Sequence, residues 1–325
     1  MPRTSASARE DQAVREAIEY AERYAAGDDQ AFLQALNVAY RNAVGGGRRG
    51  KSGERSGPTT EETPDASFHI FSDPRYLQNS RTLARRALGG TRVIGGKPVP
   101  KTAFLDCVAV GNDAQWGCTG TLIGPNTVLT AGHCAAFATR VFFGSDVKKA
   151  GKEVRVKKRF PHPQYKQGKQ NDLMVLLLEE QVTTVEPRRM ASKALADAAT
   201  DGRVVGFGHV DPHGSFGYGV KRMVDVPIAS PDCRGKVGVH DDHASYGCDR
   251  GLEIVAGRPL LERDSCKGDS GGPFYILDEA GEWRIAGATS RATASAMSTC
   301  GDGGIYVRVD RYRSWIAGIP GVELA

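Results

Sequence analysis

The pattern of apolar and polar positions changes near residue 93. Beyond it, short apolar or alternating runs are separated by turns rich in Gly, Pro, Asn and Asp, which is typical of β-strands. We expect strands in the segments FLDCVAV, TLIGPNTVLTA, RVFFG, DLMVLLLEE, RVVGFG, RMVDVPIAS, PFYIL, WRIAGATS and GIYVRV. Many short strands with glycine-rich turns predict a barrel or a sandwich. Apolar residues at helical spacing in VDRYRSWIAGI predict a terminal helix packed on this β core.

The chain before residue 93 has a different organisation. Apolar residues recur at helical spacing twice within residues 1–44, which predicts a short helical hairpin. Residues 45–66 contain the run GGGRRGKSGERSGPTTEETP, which has no apolar residue to bury and is interpreted as a flexible linker. In the mixed segment 67–92, we expect one or two helical turns from Thr82 to Leu88.

Composition and charge exclude several classes of function. The 325 residues include 43 basic and 38 acidic side chains, a net charge of +5 that gives no case for nucleic-acid binding. The densest basic run, KKAGKEVRVKKR, alternates valines with charges and is interpreted as a strand with one solvated face rather than an anion-binding patch. No stretch approaches the ~18–20 apolar residues that a membrane helix needs, so we expect no membrane span.

Three segments carry residue types suited to nucleophilic catalysis. His133 follows an apolar run in LTAGHC, Asp172 precedes one in NDLMVL, and Ser270 lies in the glycine-rich turn CKGDSGGP. A serine hydroxyl is a poor nucleophile at neutral pH, and a neutral imidazole within hydrogen-bond reach can accept its proton. Each segment alone is weak evidence, since a histidine after a strand is more often structural.

Together, and in the order His, Asp, Ser, these segments resemble the trypsin/chymotrypsin-type serine peptidases from Val93 to about Ile319. The resemblance implies two antiparallel six-stranded β-barrels with a C-terminal helix, and a protease domain spanning residues 93–325. It implies a serine endopeptidase of the trypsin-like branch that needs no cofactor or metal.

The resemblance also assigns roles to the three residues. Ser270 is expected to be the nucleophile and His133 the general base and acid, with Asp172 orienting the imidazole. The backbone N–H groups of Gly268 and Ser270 are expected to form the oxyanion hole. The substrates are then proteins or peptides.

Specificity follows from the same comparison. Asp264, six positions before Ser270, matches the acidic floor of a pocket that binds Arg or Lys at P1, the residue before the cleaved bond. The alternative for Asp264 is a surface acid in a loop. The other residues expected to bind substrate are Ser265, Ser290, Arg291, Ala292 and Gly304. The family usually has Ser-Trp-Gly where this chain has Ser-Arg-Ala at 290–292. A second cation at the pocket mouth would weaken basic substrates or favour acidic residues at neighbouring subsites.

Seven cysteines cannot all pair within one chain. The resemblance implies three disulfides and leaves Cys107 as a buried free thiol; the pairs are Cys118 with Cys134, Cys233 with Cys248, and Cys266 with Cys300. His240 and His243 enclose two aspartates in HDDH, which we interpret as a polar loop rather than a metal site because no further ligand pattern accompanies them.

The sequence TRVIGG at 91–96 resembles the activation site of the family. Cleavage after Arg92 would free the amino group of Val93, which is expected to pair with Asp269, and residues 67–92 would then be a pro-segment of a zymogen. Arg92 itself suits a pocket floored by Asp264, so self-activation is a hypothesis. The alternative for TRVIGG is an ordinary glycine-rich linker.

Two other functions remain open from the sequence. One is a catalytically silent, protease-like binding module, and the other is a protease recruited to a partner complex through its N-terminal helices. The disulfide pattern slightly favours a secreted protein. No signal peptide is visible at the N-terminus, so a cytoplasmic location also remains open.

Overall fold

A computed structural model describes most of the chain from residue 97 onward and one earlier segment. The described residues are 73–88, 97–166, 170–209, 217–237, 240–257, 265–294, 296 and 303–325. The expected hairpin (1–44), linker (45–66), activation bond Arg92–Val93, Asp264 and Cys300 lie outside these ranges. No helix within the described ranges combines the length and apolar character needed to cross a membrane.

The first described element is a helix, α1 (Pro74–Leu88), which starts eight residues earlier than the helical turns expected from Thr82. The Asp73 carboxylate accepts a hydrogen bond from the Arg75 N–H at 2.8 Å, and proline suits the first helical position. The Asp-Pro pair is therefore the start signal. Tyr76 and Leu83, 3% and 0% exposed, are buried.

After the short strand β1 (Lys97–Pro98), six antiparallel strands close into the first barrel in the order β2-β3-β4-β7-β6-β5. Their alternating apolar side chains form the barrel core, in which Val108, Leu122 and Met174 are fully buried. The strands are β2 (Cys107–Gly111), β3 (Trp116–Gly124), β4 (Thr127–Thr130), β5 (Arg140–Phe143), β6 (Lys152–Pro161) and β7 (Met174–Leu178).

The second barrel closes in the order β8-β9-β12-β15-β14-β13, with β13 pairing back to β8 and β1 added to β9. Its strands are β8 (Asp201–Gly206), β9 (Arg222–Ser230), β12 (Glu253–Ala256), β13 (Pro273–Leu277), β14 (Trp283–Ala292) and β15 (Gly304–Arg308). The short elements are α2 (Lys193–Ala198), β10 (Lys236–Val237), β11 (His240–Asp241), α3 (Asp242–Tyr246) and α4 (Arg313–Ala317).

The predicted fold of two six-stranded antiparallel barrels with a C-terminal helix is thus confirmed. A core between the barrels includes Leu129, Tyr275 and Val307, all fully buried. Helix α4 packs against this core through Ile316, as the apolar spacing predicted. Strand β12 was not among the strands predicted from the sequence. Helix α1 packs on β9 of the second barrel.

Candidate active site

Asp172 lies in a turn before β7, held by the residue that precedes it. Asn171 has a left-handed backbone (φ 57°), which asparagine tolerates better than most residues. Its backbone C=O accepts a hydrogen bond from the Leu173 N–H at 2.7 Å. Its side-chain oxygen accepts a second one from the Tyr312 hydroxyl at 2.9 Å. The C-terminal segment thereby fixes the turn, and Asp172 is only 4% exposed.

The Asp172 carboxylate joins residues of both barrels. His133, in the 3₁₀ turn after β4, donates its backbone N–H to Asp172 Oδ1 at 2.9 Å, and its ring Nδ1 lies 2.8 Å from Oδ2. Ser290 of β14 donates its hydroxyl to the same Oδ2 at 2.6 Å. Burial alone would raise the pKa of Asp172, but the hydrogen bonds from His133 and Ser290 outweigh it and hold this pKa below its ordinary value.

This arrangement selects one form of the imidazole. An ionised Asp172 accepts a hydrogen bond from Nδ1–H, so Nδ1 carries the proton of a neutral His133 and Nε2 is free to accept one. The His133 side chain is 31% exposed while that of Asp172 is 6% exposed, so the ring lies between a buried anion and solvent. The pair can therefore take up a proton at Nε2 and stabilise the resulting imidazolium.

The turn that carries Ser270 is held against the first barrel. The Thr119 N–H of β3 donates to the Ser270 C=O at 2.8 Å, and the Thr119 hydroxyl donates to the Gly268 C=O at 2.8 Å. Among the described residues, no hydrogen bond joins the Ser270 hydroxyl to His133. Such bonds are often long in unliganded sites and tighten with substrate. Thr119, which positions the turn, was missed from sequence because a lone threonine carries no signal.

A glycine is required at 268 for the shape of the same turn. Its backbone has φ +99°, and a Cβ there would lie 3.0 Å from Gly208 Cα and from the Tyr218 ring. The next residue, Asp269, is 8% exposed and accepts hydrogen bonds from the N–H groups of Gly208 (2.8 Å) and Cys266 (2.9 Å). The turn therefore directs the Asp269 carboxylate inward.

Arg291, which was expected as a second cation at the pocket mouth, is paired with an acid, and its effect on basic substrates stays a prediction. Its guanidinium binds both oxygens of Glu253 on β12, at 2.6 and 2.8 Å, and donates to the Gly247 C=O at 2.9 Å. Glu253 is 1% exposed, and burial raises its pKa, an effect that the ion pair only partly offsets. Sequence reasoning missed Glu253, although an arginine in place of an aromatic residue could have pointed to a buried acidic partner.

The structure brings together part of the expected specificity pocket. Gly304 pairs with Ala292 across β15 and β14, and a Cβ on Gly304 would lie 3.1 Å from Ser265 Oγ. Ala292 is exposed, while Gly304 is buried. Asp264 lies outside the described residues, so its place at the pocket floor stays a prediction.

The cysteines are arranged as the resemblance implies, as far as they are described. Disulfides join Cys118 to Cys134 and Cys233 to Cys248, and Cys266 is also disulfide-bonded. Cys300, its expected partner, lies outside the described ranges. Cys107 is a buried free thiol whose pKa is raised by burial.

The HDDH segment has local structural roles in the described part of the chain. The Asp241 side chain accepts the Ala244 N–H at 2.8 Å and caps α3. The His243 Nδ1 lies 2.7 Å from the Cys248 C=O, and Asp242 is fully buried. The segment therefore forms the short strand β11 and the first residues of α3, so the interpretation as a loop is wrong, while its described contacts are structural.

Comparison with known proteins places this geometry in a family. The family model described as Trypsin matches residues 93–316. Trypsin 5G1 of Aedes aegypti is 31% identical over 71% of this chain and 86% of its own length, and human kallikrein-7 is 30% identical over 70% and 87%. Mast cell protease 2 of Ovis aries is 27% identical over 73% and 91%. The chain therefore belongs to the trypsin family and is a serine endopeptidase.

Proposed function

We propose that the protein cleaves proteins or peptides after Arg or Lys, with Ser270, His133 and Asp172 as its catalytic triad. The observation that supports the triad is the Asp172 carboxylate, which joins the His133 ring to Ser290 across the two barrels. The Ser270 turn is fixed to β3, close to the point where β4 leads into His133.

In the proposed reaction, Ser270 Oγ attacks the carbonyl carbon of the scissile bond while its proton passes to His133 Nε2. The carbonyl oxygen becomes an oxyanion, which accepts hydrogen bonds from the backbone N–H groups of Gly268 and Ser270. The tetrahedral intermediate expels the amine, which takes the proton from His133. Water then repeats the sequence on the acyl-enzyme and releases the acid and free Ser270.

The preference for Arg or Lys depends on Asp264. A carboxylate at a pocket floor is costly to desolvate unless a cation pairs with it, which a basic P1 side chain supplies. Because Arg291 is neutralised by Glu253, it does not oppose a basic substrate at the pocket mouth. The relatives are named trypsin, kallikrein and mast cell protease, so membership of the family leaves this preference to be measured.

We further propose that the chain is a zymogen activated by cleavage between Arg92 and Val93. The new Val93 ammonium would pair with Asp269, whose inward-facing carboxylate adjoins the Gly268 turn. The charge pair would then order the oxyanion hole and the pocket walls. An intact Ser270→Ala chain that stays uncut in isolation, while the native chain matures at Val93, would support self-activation.

The proposal is tested with fluorogenic peptides that differ only in Arg or Phe at P1. We expect the Arg peptide to be preferred, Ser270→Ala to lower kcat by about 10⁶-fold, and Asp264→Ser to remove the preference for Arg. Ser314→Ala, on the exposed surface of α4, is the matched serine control. A preference for Phe in the native protein would refute the P1 assignment, and full activity of Ser270→Ala would refute the triad.

A further inference from the structure

Helix α1 is attached to the second barrel by a buried ionic network. Asp73 and Asp242 are both 0% exposed, and the Arg75 guanidinium lies between them, at 2.6 Å from Asp73 and 2.5 Å from Asp242. The Tyr246 hydroxyl donates to Asp73 at 2.7 Å. Two buried carboxylates thus share one cation, and each would lose its charged partner if Arg75 were absent.

Apolar and backbone contacts extend this attachment along the helix. Tyr76 and Leu83 are buried, and the Asn79 amide donates to the Ile228 C=O of β9 at 2.8 Å. The chain at Gly235 makes room for the guanidinium, since a Cβ there would lie 1.8 Å from Arg75 Nη1. The second barrel therefore has a site shaped for this particular arginine.

The same network reaches the substrate-binding strand through α3. The Tyr246 hydroxyl contacts Asp73. The backbone C=O of the same residue accepts a hydrogen bond from the Ala294 N–H, with an N–O distance of 2.9 Å. The next residue, Gly247, accepts the Arg291 guanidinium at its C=O. A chain of direct contacts thus connects α1 to Arg291, beside Ser290.

We propose that residues 73–88 are a retained positioning segment, which stays bound when the chain is cut ahead of β1 and holds Arg291 in place through α3. Both α1 and β1 lie against β9. They are separated by the eight residues 89–96, and a cut there breaks none of the contacts described above. Only the position of the natural cut, after Arg92, rests on the proposed zymogen activation.

Retention is tested on the full chain in the Ser270→Ala background, with the recognition sequence of a site-specific protease and flexible flanks inserted after Gly90. After complete cutting, verified on a denaturing gel, we expect the N-terminal fragment to co-elute with the protease domain in native gel filtration. Arg75→Ala should weaken this association by about 10²–10³-fold, while Gln78→Ala, at an exposed position of α1, should not. Release of the fragment from the cut parent chain would overturn the proposal.

Positioning is tested by steady-state kinetics on whichever form, cut or uncut, hydrolyses a peptide substrate. We expect Arg75→Ala to raise KM by about tenfold with little change in kcat, and Gln78→Ala to leave both unchanged. A synthetic peptide of residues 67–92 added to Arg75→Ala should lower KM again. An unchanged KM in Arg75→Ala, or a loss confined to kcat, would refute the positioning role. If the N-terminal fragment stays bound but cleavage after Arg92 does not activate the protein, only the zymogen proposal is refuted.

Discussion

Two buried carboxylates, Asp172 and Asp242, are held in contrasting ways. Asp172 is 4% exposed and its hydrogen-bond donors are the His133 ring and backbone and the Ser290 hydroxyl. Asp242 is 0% exposed and binds the Arg75 guanidinium, with the Ser230 hydroxyl at 2.5 Å and the Gly235 N–H at 2.8 Å. One carboxylate is thus paired with a titratable ring and the other with a permanent cation.

The difference separates a reactive site from an anchor. A neutral imidazole can become charged and then neutral again, and the carboxylate beside it stabilises the charged form when it appears. A guanidinium stays charged at every physiological pH, so its pair with Asp242 is a fixed connection between α1 and the second barrel. Changes at Asp172 should therefore affect turnover, while loss of the ion pair at Asp242 should affect the free energy of unfolding.

Of the changes at these two carboxylates and their partners, Asp172→Asn should have the strongest effect, which is on turnover. Asp172→Asn keeps the size of the side chain but presents a donor or a neutral acceptor to His133, so the wrong tautomer is favoured. In the general Ser-His-Asp template, this change lowers kcat by about 10⁴-fold, and we expect a similar loss here. Steady-state hydrolysis of an Arg peptide measures this loss of kcat, and circular dichroism verifies that the variant is folded. A loss of less than tenfold would contradict the proposed role of Asp172.

The next effect is on stability. Arg75→Ala leaves two buried carboxylates without their shared cation, and we expect the free energy of unfolding to fall by about 3 kcal/mol, near the lower end of the range for broken buried pairs. The lower end applies because the Arg75 side chain is 32% exposed. Urea unfolding measures this loss. Gln78→Ala on the same helix should change stability by no more than about 0.5 kcal/mol, and an equal loss in both variants would argue against the network.

A smaller effect is expected at the second donor to Asp172. Ser290→Ala removes the 2.6 Å hydrogen bond from β14 but leaves both His133 bonds in place. One such bond contributes about 1–1.5 kcal/mol, so kcat/KM should fall by about tenfold. Hydrolysis assays on Ser290→Ala and Ser290→Thr measure it, and we expect the threonine hydroxyl to restore most of the activity. Equal activity of native and Ser290→Ala proteins would show that the bond is catalytically silent.

The smallest effect concerns pH and stability. Because the pKa of Asp172 is lower in the folded protein than its ordinary value, the unfolded chain binds this proton first as the pH falls. The stabilisation is fully present above the unfolded pKa of about 3.9 and is lost as the pH falls through the folded pKa. Asp172→Asn should therefore have a flatter acid dependence of its unfolding free energy than the native protein. If the unfolding free energies of the native and variant proteins fell equally steeply with decreasing pH, the lowered pKa of Asp172 would be contradicted.

Much of the fold followed from local patterns. Alternating runs between glycine-rich turns predicted most strands, and family motifs pointed to His133, Asp172 and Ser270. The start of α1 has a local signal in Asp73-Pro74, but the contacts that hold the helix reach Asp242 and Ile228, far along the chain. Glu253 was missed because its ion pair with Arg291 joins two strands that are separated by β15, which no local pattern shows. These features depend on tertiary pairing, which one-dimensional periodicity does not contain.

In the proposed mechanism, Ser270 is activated by the His133–Asp172 pair. Labelling the chain, cut after Arg92, with a fluorophosphonate probe tests this activation, and peptide mass spectrometry locates the adduct. We expect one adduct on Ser270 that disappears in His133→Ala and persists in Gln78→Ala. Labelling of another serine, or equal labelling of Ser270 without His133, would contradict it.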